Sequence, residues 1–381
     1  ADRHPGSRRS HMSDPSPPPD EFPDVAEDDA GQERRKDAVK RRRLLSRRGL
    51  LTATAGLAAG AAAGWIVAET STSPVVTTVL PAAGKLDHDL LWTTLGTMGG
   101  PIASTRRAQP ANLLHNAGQA ILIDSGDGAA DQLGKAGVDL TAVATVILSH
   151  LHIDHTAGLY GVIGRRLQER IAGTLSIYGP PGTRQEVDRM QASLGYLSDL
   201  MHAGNSRVPD LPPTTVDVIE VTDGSTFTVG PVKVTAATNT HYGFAPASAQ
   251  AARFQSLSFR FDMPDRSIAY TGDTGPSGNV QRLAHGADLL ISEIINADQS
   301  LAALKAQRSD IPIYAEPILK QHFEKQHLSA DEVGLLARRS GVKAVVLTHN
   351  PLTDPNIEIA RATIASHFNG PVAFADDLDN Y

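Results

Sequence analysis

Three histidines and an aspartate fall within six positions in His150-Leu151-His152-Ile153-Asp154-His155, directly after the apolar run 143–148. With 14 His in 381 residues, three His at this spacing are expected by chance only about 0.02 times, before Asp154 is required. Histidines that merely cap a strand or pack in a core do not account for such a cluster. Imidazole and carboxylate are ligands that Zn²⁺ takes at about 2.0–2.2 Å, and a bend after a strand can aim alternate residues at one ion. His150 and His152 can therefore share a metal, while Asp154 and His155, adjacent but pointing differently, call for a second.

Other chemistry is excluded by composition. There is no Cys, so disulfides, thiolate ligands and a Cys nucleophile are out. A net charge of −7 rules out a generally basic nucleic-acid coat.

The first 85 residues are set apart by composition. Residues 1–11 resemble an expression-tag remnant ahead of Met12, and 12–45 form a charged region expected to be disordered. In 46–68, Ser46-Arg47-Arg48-Gly49-Leu50-Leu51 leads into an Ala/Gly-rich apolar stretch. It resembles a twin-arginine export signal, with Leu50 and Thr52 departing from the commoner residues. Export to the periplasm or exterior by that machinery is the expectation, with an N-terminal membrane anchor as the alternative. A linker follows over 69–85, then one domain over 86–381 with no repeat and no internal linker.

Within that domain, strands are predicted at 120–123, 143–148, 232–236, 256–261, 288–291 and 342–347, with a hairpin pairing 227–229 and 232–234 around Gly230-Pro231. Helices are predicted at 184–200 and 330–339, the second opened by a capping box of Ser329 and Glu332. The class is mixed α and β, with helices covering sheets.

His-x-His-x-Asp-His after a strand resembles the metallo-β-lactamase superfamily, over nearly all of the chain from about Leu91. The resemblance implies an α+β four-layer αβ/βα sandwich and a dinuclear site at one edge. It implies a further His, a bridging acid and a last His, which His241, Asp273 and His349 supply, each after its own apolar run. His150, His152 and His241 would hold one metal, Asp154, His155 and His349 the other, and Asp273 would bridge them. The segments Tyr270-Thr271-Gly272-Asp273-Thr274, Ser292-Glu293, Gln326-His327-Leu328-Ser329 and Thr348-His349 are similar to the tRNase Z and arylsulfatase-like branch. So are Leu95-Gly96-Thr97-Met98-Gly99-Gly100-Pro101 and Ile123-Asp124-Ser125-Gly126. That branch implies a Glu293–His327 pair beside the metals, with His327 as proton donor and Asp154 counted with this pair as catalytic.

Two Zn²⁺, or Mn²⁺ or Fe²⁺ in their place, bring about +4 against about −3 from Asp154, Asp273 and a bridging hydroxide, which favours an anionic substrate. The expectation is an exported hydrolase of a small-molecule phosphate or sulfate ester. Lactone or β-lactam hydrolysis is the alternative, a non-catalytic metal-binding scaffold a lesser one, and homo-oligomerisation is left open. No nucleic acid is expected as a partner, because the chain is acidic, carries an export signal, and has no arm-like insertion between His241 and Asp273. Substrate contacts are assigned to Tyr242 and Phe244 and to the segment 196–202. His88, His115, His202, His285, His322 and His367 are read as structural or solvated.

Overall fold

The structure, a computed structural model, describes residues 90–100, 102–116, 119–202 and 214–381. The leader, with the segment read as an export signal, and the linker lie outside these residues, as does His88. Among the described residues no helix is long and apolar enough to cross a membrane.

Two seven-stranded sheets carry the fold. The first is built from β1 (Leu90–Gly96), β2 (Ala111–Asn116), β3 (Gln119–Ser125), β4 (Val143–Ile147), β5 (Gly173–Gly179), β6 (Thr214–Glu220) and the C-terminal β14 (Asp379–Asn380), in the order β14-β1-β2-β3-β4-β5-β6. The second contains β7 (Thr226–Val229), β8 (Val232–Thr238), β9 (Leu257–Asp262), β10 (Ser267–Tyr270), β11 (Leu289–Ser292), β12 (Ala344–Leu347) and β13 (Val372–Phe374), in reverse numerical order from β13 to β7. Strands β3 to β6 are parallel, as are β10 to β13. The expected hairpin is present, with Val229 opposite Val232 and Gly230 at φ +55° in the turn, a conformation open to glycine at little cost.

Strand alternation sorts the core into layers. Ile121 and Ile123 of β3 face inward with Phe259, Ile268, Tyr270 and Ile291 of the opposing sheet. Leu122, between them, faces outward with Val146, Leu159 and Val187 under the helices α1 (Ala129–Lys135), α2 (Ile153–Gln168) and α3 (Thr183–His202). On the other side Ala269, Leu290 and Val345 pack with Val333, Leu336 and Ile364. Those residues belong to the helical cover that includes α4 to α9: Ala249–Arg253, Gly278–Leu283, Ala297–Gln307, Glu316–Gln326, Ala330–Ser340 and Asn356–Ala365. Helix, sheet, sheet, helix is the four-layer α+β sandwich.

Helix α2 is not anticipated from the sequence. Its N-cap is His152 and its first turn contains Asp154 and His155, so the histidine motif is a strand-to-helix junction and not a simple bend. The capping box of α8 forms as expected, Ser329 accepting from the Glu332 amide while the Glu332 carboxylate accepts from Ser329.

Candidate metal centre and active site

Apart from His327, which caps a helix, the candidate side chains lie at or just after the C-terminal end of a strand. Asp124 closes β3, the histidine motif follows β4, His241 follows β8, Asp273 follows β10, Glu293 follows β11 and His349 follows β12. Parallel strands bring these ends to one edge, where connecting loops carry polar groups on a rigid base. The backbone is bent to aim them. Gly272 sits at φ +55°, and a Cβ there would press on the Leu257 carbonyl and on Ser149. Asp124 (φ 55°) and His349 (φ 44°) take the left-handed conformation without being glycine, a strained state that persists where surrounding contacts enforce it.

The seven residues gather in two groups. One ring nitrogen each from His150, His152 and His241 lie within 4.8 Å of one another, and so do ligand atoms of Asp154, His155, Asp273 and His349. Asp273 reaches both groups. Its Oδ2 is 3.8 Å from His150 Nε2, 3.9 Å from His241 Nε2 and 3.1 Å from His349 Nε2, while Oδ1 is 3.3 Å from His155 Nε2. Asp154 Oδ2 is 3.6 Å from Nε2 of both His155 and His349. These residues are buried except Asp154, which is half-buried, and His152, which is exposed to the cleft.

The donor set fits divalent cations. His150 Nε2, His155 Nε2, both ring nitrogens of His349 and Asp273 Oδ1 are buried without a hydrogen-bond partner, a costly arrangement unless a cation completes it. The outer nitrogens are engaged: His155 Nδ1 with Asp124 Oδ2 at 2.9 Å, His241 Nδ1 with the Gln326 carbonyl at 3.0 Å, His150 Nδ1 with Ser149 Oγ at 3.0 Å. Such partners set the tautomer and leave the inner nitrogen free to ligate.

Protonation equilibria report the same crowding. Burial drives His150 well below the usual imidazole range and His241 to about 3. Burial also opposes charge on His155 and His349, yet the carboxylates of Asp273 and Asp154 outweigh it, raising His155 well above its ordinary value and His349 to about 10. Burial would lift Asp154, but His155 and His349 hold it at about 2. The carboxylates thus favour positive charge at two imidazoles, the same preference that suits a cation there.

Glu293 and His327 form the expected pair, His327 Nδ1 lying 2.6 Å from Glu293 Oε2 with both side chains buried. Glu293 also accepts from the Thr274 amide, which pins it next to Asp273. Burial works against the charged imidazole of His327, and the Glu293 carboxylate overcomes it, so the group is raised. The residue occupies the C-cap of α7, two positions before the capping box of α8.

Some site residues escape sequence reasoning. Asp124 is fully buried and accepts from the Ser149 amide (2.7 Å), Ser149 Oγ (2.8 Å) and the Tyr270 hydroxyl (2.7 Å) besides facing His155. Gly99 and Gly100 pack against the ligands: a Cβ on Gly100 would overlap the Asp154 carboxylate, and one on Gly99 would crowd His349. His322 is not merely solvated, since its ring lies 5.5 Å from His327 and 6.2 Å from His241. His367 also has a partner, Asp331 at 2.6 Å. The contact of His322 with His327 runs along one helix to its C-cap, whereas those of His322 with His241 and of His367 with Asp331 come from packing between distant segments.

A cavity of about 1160 Å³ opens beside His152, lined by Leu151, Tyr242, Phe244 and Phe254 and by the N-terminal half of α3. Tyr242 and Phe244 therefore line the cavity. The segment 196–202 does not: the α3 residues on the cavity run from Arg184 to Ala192, and Tyr196 is exposed to solvent. The side chains of Met201 and His202 lie outside the described residues.

The family model for a beta-lactamase superfamily domain matches residues 119–350, and with the sandwich and its histidine-rich edge this places the chain in the metallo-β-lactamase-fold superfamily. Its branch is ribonuclease Z-like and not arylsulfatase-like. Ribonuclease Z of Mycolicibacterium gilvum is 32% identical over 292 residues, covering 75% of this chain and 93% of that protein. Among solved structures, the metallo-β-lactamase-fold protein YhfI from Bacillus subtilis shares the fold at TM-score 0.56 and 21% identity, covering 77% of this chain and 98% of its own. The short form of human tRNase Z does so at TM-score 0.52 and 22% identity, covering 76% and 98%. The ribonuclease Z relatives overturn the expectation that nucleic acid is excluded. Net charge misled because it sums over the whole chain, whereas binding depends on the local field at the site.

Proposed function

We propose that this chain is a dinuclear metal-dependent phosphodiesterase that hydrolyses a phosphodiester bond of RNA. The observation that carries the reading is the double ligand group sharing Asp273, with the Glu293–His327 pair on its flank. The similarity to ribonuclease Z supports the substrate class.

His150, His152 and His241 would hold one divalent ion and Asp154, His155 and His349 the other, with Asp273 between them. When bound, a pair of such ions polarises a phosphoryl oxygen and acidifies water, giving a nucleophile at neutral pH. Around them the protein's own groups orient the ester. Tyr242 Oη accepts from the Leu151 amide at 3.3 Å, and burial raises its pKa, so the phenol stays protonated and its hydrogen is free for a phosphoryl oxygen. His327, its Nδ1 committed to Glu293, has Nε2 left to protonate the leaving oxygen as the P–O bond breaks. Glu293 raises the pKa of that imidazole against burial and fixes its orientation.

A small-molecule phosphodiester is the second reading, favoured by the short stretch from His241 to Asp273, which holds only the five-residue α4 besides strands. Metal-loaded protein is assayed on bis-p-nitrophenyl phosphate and on a precursor RNA carrying a 3′ extension. Cleavage of both is expected. Cleavage of the small diester alone would move the substrate to a small molecule, and cleavage of neither would end the phosphodiesterase reading. Export by the twin-arginine route remains our proposal for location, resting on Arg47-Arg48 in the leader.

A further inference from the structure

From His152 and Tyr242 a line of aromatic rings runs outward along the cavity, and the hydrolytic chemistry leaves its outer members, Phe244 and Phe254, unused. His152 and Tyr242 have ring centroids 5.2 Å apart, Tyr242 and Phe244 5.8 Å, and Phe244 and Phe254 6.1 Å. The Arg253 guanidinium closes the line, 4.8 Å above the Phe254 ring. Burial decreases outward: Tyr242 is half-buried, while Phe244 and Phe254 are 40% and 44% exposed. Two neighbouring Phe rings left in water at the rim of a cavity are the sort of exposed apolar surface that marks a binding site.

Charge is arranged along the same wall. Arg184 donates to the Val218 carbonyl and Arg189 pairs with Glu186 at 2.8 Å, so both are engaged. Glu220 is likewise taken up, accepting from the Gly182 and Arg184 amides. Arg253 is different: among the described residues no ion pair holds it, and it lies on the outermost ring. A volume of about 1160 Å³ is above the range of about 300–1,000 Å³ usual for small-ligand sites, which suits a ligand longer than one nucleotide.

We propose that Tyr242, Phe244 and Phe254, ending in Arg253, form a stacking track that takes unpaired nucleotides of the substrate strand as it leaves the metal centre. Bases stack on the two exposed Phe rings irrespective of sequence, since every base presents a π face. Arg253 meets a backbone phosphate beyond them. The inference rests on the phosphodiesterase reading for its RNA substrate, but its test does not require turnover.

The test measures binding of the full chain, treated with chelator, to a fluorescent single-stranded oligouridylate and to an abasic strand of equal length and charge. The oligouridylate is expected to bind more tightly. Phe244→Leu and Phe254→Leu, which keep an apolar side chain, should each weaken it by about tenfold and change abasic binding by less than about twofold. Arg253→Gln should weaken both strands alike and reduce the salt dependence by about one phosphate contact. Equal affinity of the wild-type chain for the two strands, or unchanged binding in both Phe variants, would overturn the track. If the stacking preference holds while metal-loaded protein cuts no phosphodiester, the track stands and the enzymatic reading fails; cleavage without any base preference has the opposite meaning.

Discussion

His155 Nδ1 lies 2.9 Å from Asp124 Oδ2, with both side chains wholly buried, so the imidazole presents Nε2 to Asp273 and Asp154 in a fixed orientation. Asp124 also gathers Ser149 and Tyr270, and through them ties the histidine junction to the opposing sheet. It positions a ligand without being one. Asp124→Asn should lower metal affinity by roughly 10- to 100-fold, the usual effect of losing such a partner. Titration with a competing chelator measures it, and an affinity equal to wild type would remove Asp124 from the account of the site.

The Glu293–His327 pair predicts a pH effect of definite sign. As the proposed acid His327 must be protonated, so activity should fall as pH rises through its pKa. Glu293 raises that pKa against burial. In Glu293→Gln the largest upward influence is lost and burial is opposed by Asp273 alone, so the alkaline limb of the kcat/KM profile should move to lower pH. His327→Ala should remove the limb and lower kcat by roughly 10²- to 10⁴-fold for substrates with a poor leaving group. An ester of p-nitrophenol, whose leaving group needs little protonation, should lose much less. Equal losses on both substrates would assign His327 to structure.

Gly100 leaves no room for a side chain beside Asp154. Gly100→Ala should displace that carboxylate and weaken the group made by Asp154, His155 and His349 while sparing His150, His152 and His241. Metal analysis should then fall from two ions per chain toward one, with folding retained by circular dichroism. Two ions bound as tightly as in wild type would contradict this.

The leader gives a prediction independent of the site. Arg47→Lys combined with Arg48→Lys should hold the protein inside the cell, as read by fractionation with a cytoplasmic marker. Normal export of that variant would sink the twin-arginine proposal.

What the sequence made legible follows from which signals are local. The cluster from His150 to His155 is contiguous, and each of His241, Asp273 and His349 ends an apolar run, so strand-end placement could be read without coordinates. The strands at 120–123 and 143–148 likewise announce themselves by their apolar character. Asp124 could not be given its role, because its partner His155 is 31 positions away and a lone Asp before Ser-Gly reads as a turn. His322 looks like a surface helix residue until the packing of α7 brings it to His241. Gly99 and Gly100 matter only through the carboxylate and imidazole packed over them. Helix α2 was missed because the ligand cluster at its start dominates the pattern there.

The central claim is that Asp273 serves both ligand groups, and metal stoichiometry measured with phosphodiesterase activity on the same sample tests it most directly. Wild-type protein should bind two divalent ions per chain and hydrolyse bis-p-nitrophenyl phosphate. Asp273→Ala should lose both properties, and His241→Ala should lose activity with the first group's ion. Well under one ion per wild-type chain after incubation with zinc, manganese or iron, or an Asp273→Ala variant that keeps its metals and its activity, would contradict the dinuclear site.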